Sequence, residues 1–306
     1  MIVVVCPGQG SQTPGFLEPW IADSGSKALL ESLSESAGVD LVKHGTVSDA
    51  DTIRDTQIAQ PLIVAAGILT LDALADTDHL SKATGIAGHS VGEFTAAAGA
   101  GVLDAHDAVR LVGLRGRAMA EAAAEIATGM SAVIGGDESD VSRRLDELGL
   151  FAANYNGGGQ LVVAGELDAL SALSEQPPAG ARVIPLQVAG AFHTPFMESA
   201  VAALRDAASA VNHADPRQKL WTNRDGSLVT DGRTFLDLMI GQVSSPVRWD
   251  LCMESFASSG VTGIIEVAPA GALVGLAKRA LKGIPTVAIK SPEDLTAARE
   301  LIDSLA

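Results

Sequence analysis

The chain of 306 residues holds only two cysteines, Cys6 and Cys252. That is too few for a disulfide framework, and their separation matches no metal-ligand spacing, so neither a stapled secreted scaffold nor a zinc module is expected. Basic charge is scarce as well. Lys and Arg number 21 against 37 Asp and Glu, a formal net charge of −16. A balance of that sign argues against a general nucleic-acid binder, while leaving room for a local basic patch facing an anionic ligand. The start, MIVVVCPGQG, has an apolar run too short for a signal or membrane helix and no basic flank. It reads as a buried strand over 2–6 that ends in a Pro-Gly turn. A cytoplasmic protein with no membrane or nucleic-acid partner is expected, and nothing implies an obligatory oligomer. Aromatics are only 4% of the chain, but glycines number 32 and alanine abounds, which suits helices packed closely on a sheet. With 47% hydrophobic residues the chain can bury one large core, or a core plus a smaller insertion.

Apolar strand patterns alternate with helical ones through the first 127 residues. ATGIAGHS is a short strand, VGEFTAAAGAGVL a small-residue helix, and DAHDAVRLVGLRGRAMAEAAAE the clearest helix, with Val109, Val112, Gly116 and Met119 on one stripe. Such alternation predicts a parallel α/β sheet. From about residue 128 the texture changes to β-α-β-β-α-β within a short span, the ferredoxin-like pattern. From TPFMESAVAALRDAASAV onward the helical pattern of the first part resumes. The expected organisation is a discontinuous larger domain, 1–127 and 193–306, interrupted by a small α+β subdomain at 128–192.

The stretch GIAGHSVGEF carries G-x-S-x-G, in which a strand turns on a serine, here Ser90, and enters a helix. A five-residue match can arise by chance in a glycine-rich chain, so the serine needs a base and oxyanion donors elsewhere. Of the six histidines, His89 adjoins Ser90, but neighbours on a sharp turn point apart, which suits a packing or turn role. His193, in VAGAFHTPFM, stands where the subdomain rejoins the larger domain, and clefts form at such junctions; a half-buried histidine capping the following helix is the alternative. His213 reads as a solvated helix end. No histidine follows it, which disfavours an ordinary esterase with its late histidine. Arg117 reads as solvated. Arg115 falls on an apolar helical face, where it either pairs with an internal carboxylate or waits for an anionic ligand.

PGQGSQ, GHSVGE, the RG at 115–116, NYNGGGQLVVAG, GAFHTPFM, QVSSPVRW and EVAPAGAL occur in that order. Together they resemble the malonyl-CoA:acyl-carrier-protein transacylases of fatty-acid synthesis and the acyltransferase domains of polyketide synthases, over nearly the full length. The resemblance implies a hydrolase-like parallel α/β domain with an inserted ferredoxin-like subdomain. It implies Ser90 as nucleophile, His193 as base, and the main-chain carbonyl of Gln242 orienting the imidazole. The main-chain N–H groups of Gln9 and Val91 would form the oxyanion hole. Arg115 would hold the malonyl carboxylate, Phe192 would favour malonyl over methylmalonyl, and Asn156, with Asn154, would contact substrate. Malonyl-CoA and acyl carrier protein are the implied partners, with no metal or bound cofactor. A polyketide-type acyltransferase or a thioester hydrolase would use the same site, and a carrier-protein docking module would not need it. For the acidic carrier and the CoA phosphates, a basic patch drawn from Arg182, Lys278, Arg279 and Lys282 is expected.

Overall fold

The computed structural model describes residues 1–305. Eleven strands form two sheets: β1 (Ile2–Cys6), β2 (Gly85–Gly88), β3 (Thr128–Gly135), β4 (Phe151–Gly157), β5 (Gln160–Glu166), β6 (Ala181–Pro185), β7 (Lys219–Trp221), β8 (Leu228–Val229), β9 (Val247–Arg248), β10 (Gly263–Glu266) and β11 (Thr286–Ala288). The first sheet has the order β11-β10-β1-β2-β7-β8. Its pairs are parallel from β11 to β7, as the alternating pattern predicts, but the edge strand β8 returns antiparallel to β7. A hairpin with a six-residue connection, 222–227, therefore ends the sheet on that side, where a two-residue strand carries too little periodicity to be read from sequence.

The unbroken apolar run of β1 follows from its place in the middle of this sheet. Ile2, Val4 and Cys6 pack into one core, while Val3 and Val5 pack into another on the opposite face. A parallel strand covered by helices on both sides needs apolar residues at every position. The helix Thr56–Ala75 is apolar all round for a similar reason. It is long and apolar enough to cross a bilayer, yet 78% of its apolar window is buried inside the protein.

The second sheet has the order β6-β3-β5-β4-β9. Its first four strands are antiparallel and come from residues 128–185; the fifth, β9, arrives from far along the chain and pairs parallel with β4. Helices Glu138–Leu148 and Leu167–Glu175 cover one face around a small core of Val133, Leu145, Val163 and Leu173. The other face carries Met130, Asn156 and Val162 toward a cleft that also receives the C-terminal ends of β1 and β2. The fold is thus mixed α/β with two mixed sheets facing a shared cleft.

Candidate active site

β2 ends at Gly88 and the helix Gly92–Ala100 begins four residues later, leaving Ser90 on the turn with φ of +53°. Both flanking glycines are dictated by close approach. A Cβ on Gly88 would overlap the main chain of Gly92, and one on Gly92 would overlap the carbonyl of Cys6. His193 also has a positive φ, +62°. Its Nε2 lies 2.7 Å from Ser90 Oγ and its Nδ1 2.8 Å from the main-chain oxygen of Gln242. A carbonyl only accepts, so Nδ1 carries the proton and Nε2 is free to accept from the serine hydroxyl. Burial, reinforced by the nearby Arg115 guanidinium, pushes the His193 imidazole down to about 3. The ring is therefore neutral at physiological pH, the form a general base requires.

Gln9 and Val91 both line the same cleft as Ser90. Among the described residues neither main-chain N–H donates to a protein acceptor, whereas the N–H of Ser90 itself is taken by Asn223 Oδ1 at 2.7 Å. Two free donors thus share the cleft with Ser90, one of them at a helix N-terminus where negative charge is favoured.

Arg115, only 1% exposed, resolves neither way the helical pattern left open in full. Its guanidinium meets no carboxylate directly. Nη1 donates to Gln60 Oε1 at 2.7 Å and Nη2 to Gln242 Oε1 at 3.0 Å, while Nε has no partner. Burial draws its pKa down to about 10, opposed by the charge of Glu93. Glu93 lies beyond Gln242, accepting from that amide and from the N–H of Asn223 at 2.6 and 2.7 Å. Burial pushes the Glu93 carboxyl up to about 8 against those donors and Arg115. A buried cation held by neutral amides, with one N–H unspent, lacks the counter-ion that burial ordinarily demands.

The cleft measures about 450 Å³. Phe192 and Asn154 form part of its wall, and Asn156 Oδ1 accepts from His89 Nε2 at 2.9 Å. A more open hollow of about 530 Å³, lined by Leu71, Asp72 and Arg217, carries neither serine nor cysteine. His89 lines the same cleft as Ser90 but packs edge-on to Trp249 and bonds Asn156 rather than Ser90. Arg117 corrects its expectation: it is half-buried and donates to the Ala37 carbonyl at 3.0 Å, satisfying the end of the helix Ser24–Ala37. Among the four basic candidates, Arg279 lines the cleft. Lys278 and Lys282 are exposed beside it, while Arg182 lies on the edge strand β6 and does not reach the cleft.

Gln60, Glu93 and Asn223 join the site with no role assigned to them from the sequence, although Glu93 ends the GHSVGE stretch. Gln60 and Glu93 are polar residues buried on otherwise largely apolar or small-residue helices. Thr56, Gln57, Thr70, Asp72 and Thr95 share those helices, so polarity alone does not single them out. Asn223, in a loop after β7, offers no pattern at all.

A histidine-paired serine on a strand-to-helix turn, beside free N–H donors, is an arrangement able to carry acyl transfer through a covalent intermediate. Residues 3–296 match the family model described as acyl transferase domain, and the chain belongs to that family. The malonyl CoA-acyl carrier protein transacylase of Mycobacterium tuberculosis is 49% identical over 296 residues, covering 96% of this chain and 98% of that protein. The crystal structure of the M. tuberculosis protein superposes with a TM-score of 0.95 at 48% identity, covering 98% of this chain and 99% of that one. A malonyl-transacylase solved in complex with its type II PKS acyl-carrier protein is similar at a TM-score of 0.92 and 28% identity, covering 98% and 99%.

Proposed function

We propose that this chain moves the malonyl group of malonyl-CoA to the phosphopantetheine thiol of an acyl carrier protein, through a malonyl ester on Ser90, in fatty-acid biosynthesis. The observation that carries this reading is Arg115, a buried cation with an unspent N–H in the cleft that holds Ser90 and His193. A substrate carboxylate supplies the missing counter-ion, and a planar fork suits it.

Ser90 Oγ attacks the thioester carbonyl as His193 Nε2 accepts its proton. The oxyanion is held by the N–H groups of Val91 and Gln9. The tetrahedral intermediate collapses, the CoA sulfur leaves, and the His193 imidazolium returns the proton to it. In the second half the carrier thiol gives its proton to His193 and attacks the malonyl ester, and Ser90 leaves and is reprotonated. The main-chain carbonyl of Gln242 holds the Nδ1 proton throughout. Substrate binding also assists the base: a carboxylate on Arg115 offsets one of the charges that disfavour the imidazolium.

The division into a hydrolase-like domain, 1–127 and 193–306, and a ferredoxin-like insertion at 128–192 belongs to this reading. It is supported by the β-α-β-β-α-β order of β3 to β6 and their strand order. Phe192 narrows the pocket against a branched acyl group, and Asn156 faces the substrate. The chemistry needs no metal or bound cofactor, and a cytoplasmic location follows from its soluble substrates. Intact-mass measurement after incubation with malonyl-, methylmalonyl- and acetyl-CoA tests the proposal. One malonyl increment is expected from malonyl-CoA, much less label from the others, and transfer to carrier rather than loss to water. Equal labelling by acetyl-CoA would refute the malonyl assignment, and rapid loss to water would favour a hydrolase.

A further inference from the structure

The turn that presents Ser90 has a left-handed φ that a serine does not adopt by preference, so something must hold it there. The buried side chain of Asn223 does so from behind. Its Nδ2 donates to the carbonyl of Gly88 at 2.6 Å, and its Oδ1 accepts from the N–H of Ser90 at 2.7 Å. The two partners fix the amide orientation, because a carbonyl only accepts and an N–H only donates. Oδ1 also accepts from Gln242 Nε2 at 3.1 Å, and that residue's main-chain oxygen orients His193. Asn223 is in turn anchored at both ends of its main chain: its N–H donates to Glu93 Oε1 at 2.7 Å, and its carbonyl accepts from the N–H of Arg248 at 2.8 Å.

We propose that Asn223, anchored by Glu93, is a positioning residue for acyl transfer: its amide bridges the main chain on either side of His89, from the Gly88 carbonyl to the Ser90 N–H, and holds the nucleophile aimed at His193. The bridge also commits the Ser90 N–H, so that the donors left to a developing oxyanion are those of neighbouring residues. This proposal rests on the reading of Ser90 as the acylated residue.

Asn223→Ala removes the bridge, and Asn223→Asp keeps its size but sets a second acceptor against the Gly88 carbonyl. For each variant, acylation by malonyl-CoA is followed by quenched-flow mass measurement per mole of folded protein. Reaction of Ser90 with a serine-directed fluorophosphonate, which bypasses Arg115, is measured alongside. Both rates should fall roughly 10–100-fold, as a small displacement of a reacting group does, while the KM for malonyl-CoA stays within about twofold. A role confined to stability would lower the melting temperature but leave both rates per folded molecule unchanged, and that result overturns the proposal. If neither variant folds, amide exchange in the wild-type protein decides: the Ser90 N–H should be strongly protected, and exchange as fast as in an open loop would refute the bridge. A wild-type protein that forms no adduct, with Ser90→Ala as control, would instead remove the reading on which the proposal stands.

Discussion

Ser90 Oγ and His193 Nε2 stand 2.7 Å apart, and both residues hold φ angles in the left-handed region, +53° and +62°. Each such angle costs a non-glycine residue on the order of 1–3 kcal/mol and persists only where its surroundings determine it. At Ser90 those surroundings are Asn223 and the glycine contacts; at His193 they are the carbonyls of Val243 and Gln242, 3.2 and 2.8 Å from its main-chain N–H and Nδ1. Strain at both ends of a single hydrogen bond is what a pre-organised nucleophile and base would show.

Ser90→Ala should therefore abolish the malonyl adduct in mass measurements. His193→Ala should slow both acylation and transfer by about 10²–10⁴-fold, the range for a positioned base. His89→Ala should lower yield or stability, because its ring meets Asn156 and Trp249 rather than Ser90. Loss of acylation in folded His89→Ala with retention in His193→Ala would reverse the assignment.

The displaced pKa values give a pH dependence with a definite sign. His193 is drawn from the ordinary 6.5 to about 3, so between those values the unfolded chain binds a proton that the folded one does not. Its contribution to stability is present above 6.5 and is lost as pH falls through about 3. Glu93 is raised from 4.5 to about 8, so its contribution is complete below 4.5 and is lost as pH rises through about 8. The melting temperature should decline toward both extremes, and His193→Gln should flatten the acid side. The acylation kcat/KM should show no limb near 6.5, since the free enzyme's base is already neutral there; a limb at that pH would contradict the buried imidazole.

Much of this architecture is legible in the sequence because local pattern and tertiary place agree. IVVVC is apolar at every position because β1 is covered on both faces, and Val109, Val112 and Met119 fall on the buried stripe of the helix Ala105–Glu125. The elbow is legible because close approach forces two glycines around the serine. The pairing of β9 with β4 is not, since two residues from a distant part of the chain carry no register. Nor is the polar layer behind the dyad. Arg115 can be placed on an apolar face from its spacing, but its acceptors, Gln60 and Gln242, come from two other helical segments and are joined to it only by the fold.

Carrier protein and the CoA phosphates should meet the cleft at Arg279, with Lys278 on the adjoining exposed surface. Charge reversal at both should raise the KM for carrier protein and weaken its salt dependence, because screening acts on exposed charge pairs. Arg182, remote from the cleft lining, should tolerate reversal with little change. An unchanged KM for the Lys278/Arg279 double variant at low salt would discard this surface.

Arg115 should set the choice of acyl donor. Its two terminal nitrogens already donate to Gln60 and Gln242, so the free enzyme keeps the guanidinium oriented without a counter-charge. Malonate brings that charge. Acetate does not, and leaves the buried cation as it was. Discrimination of about 2–5 kcal/mol is reasonable for a buried charge that is paired with one substrate and unpaired with the other. Arg115→Ala should lose malonyl transfer and gain relatively on acetyl-CoA, because the desolvated cation is gone. Arg115→Lys should restore little, since a point charge cannot span two amide oxygens and a carboxylate as a planar fork does. The variant also strips donors from Gln60 and Gln242, so some loss with every acyl donor is expected from the disturbed amides. The ratio of kcat/KM for malonyl- over acetyl-CoA, measured on one folded preparation, separates that general loss from selectivity. A ratio unchanged from wild type would make Arg115 a structural cation and leave the carboxylate to be recognised elsewhere.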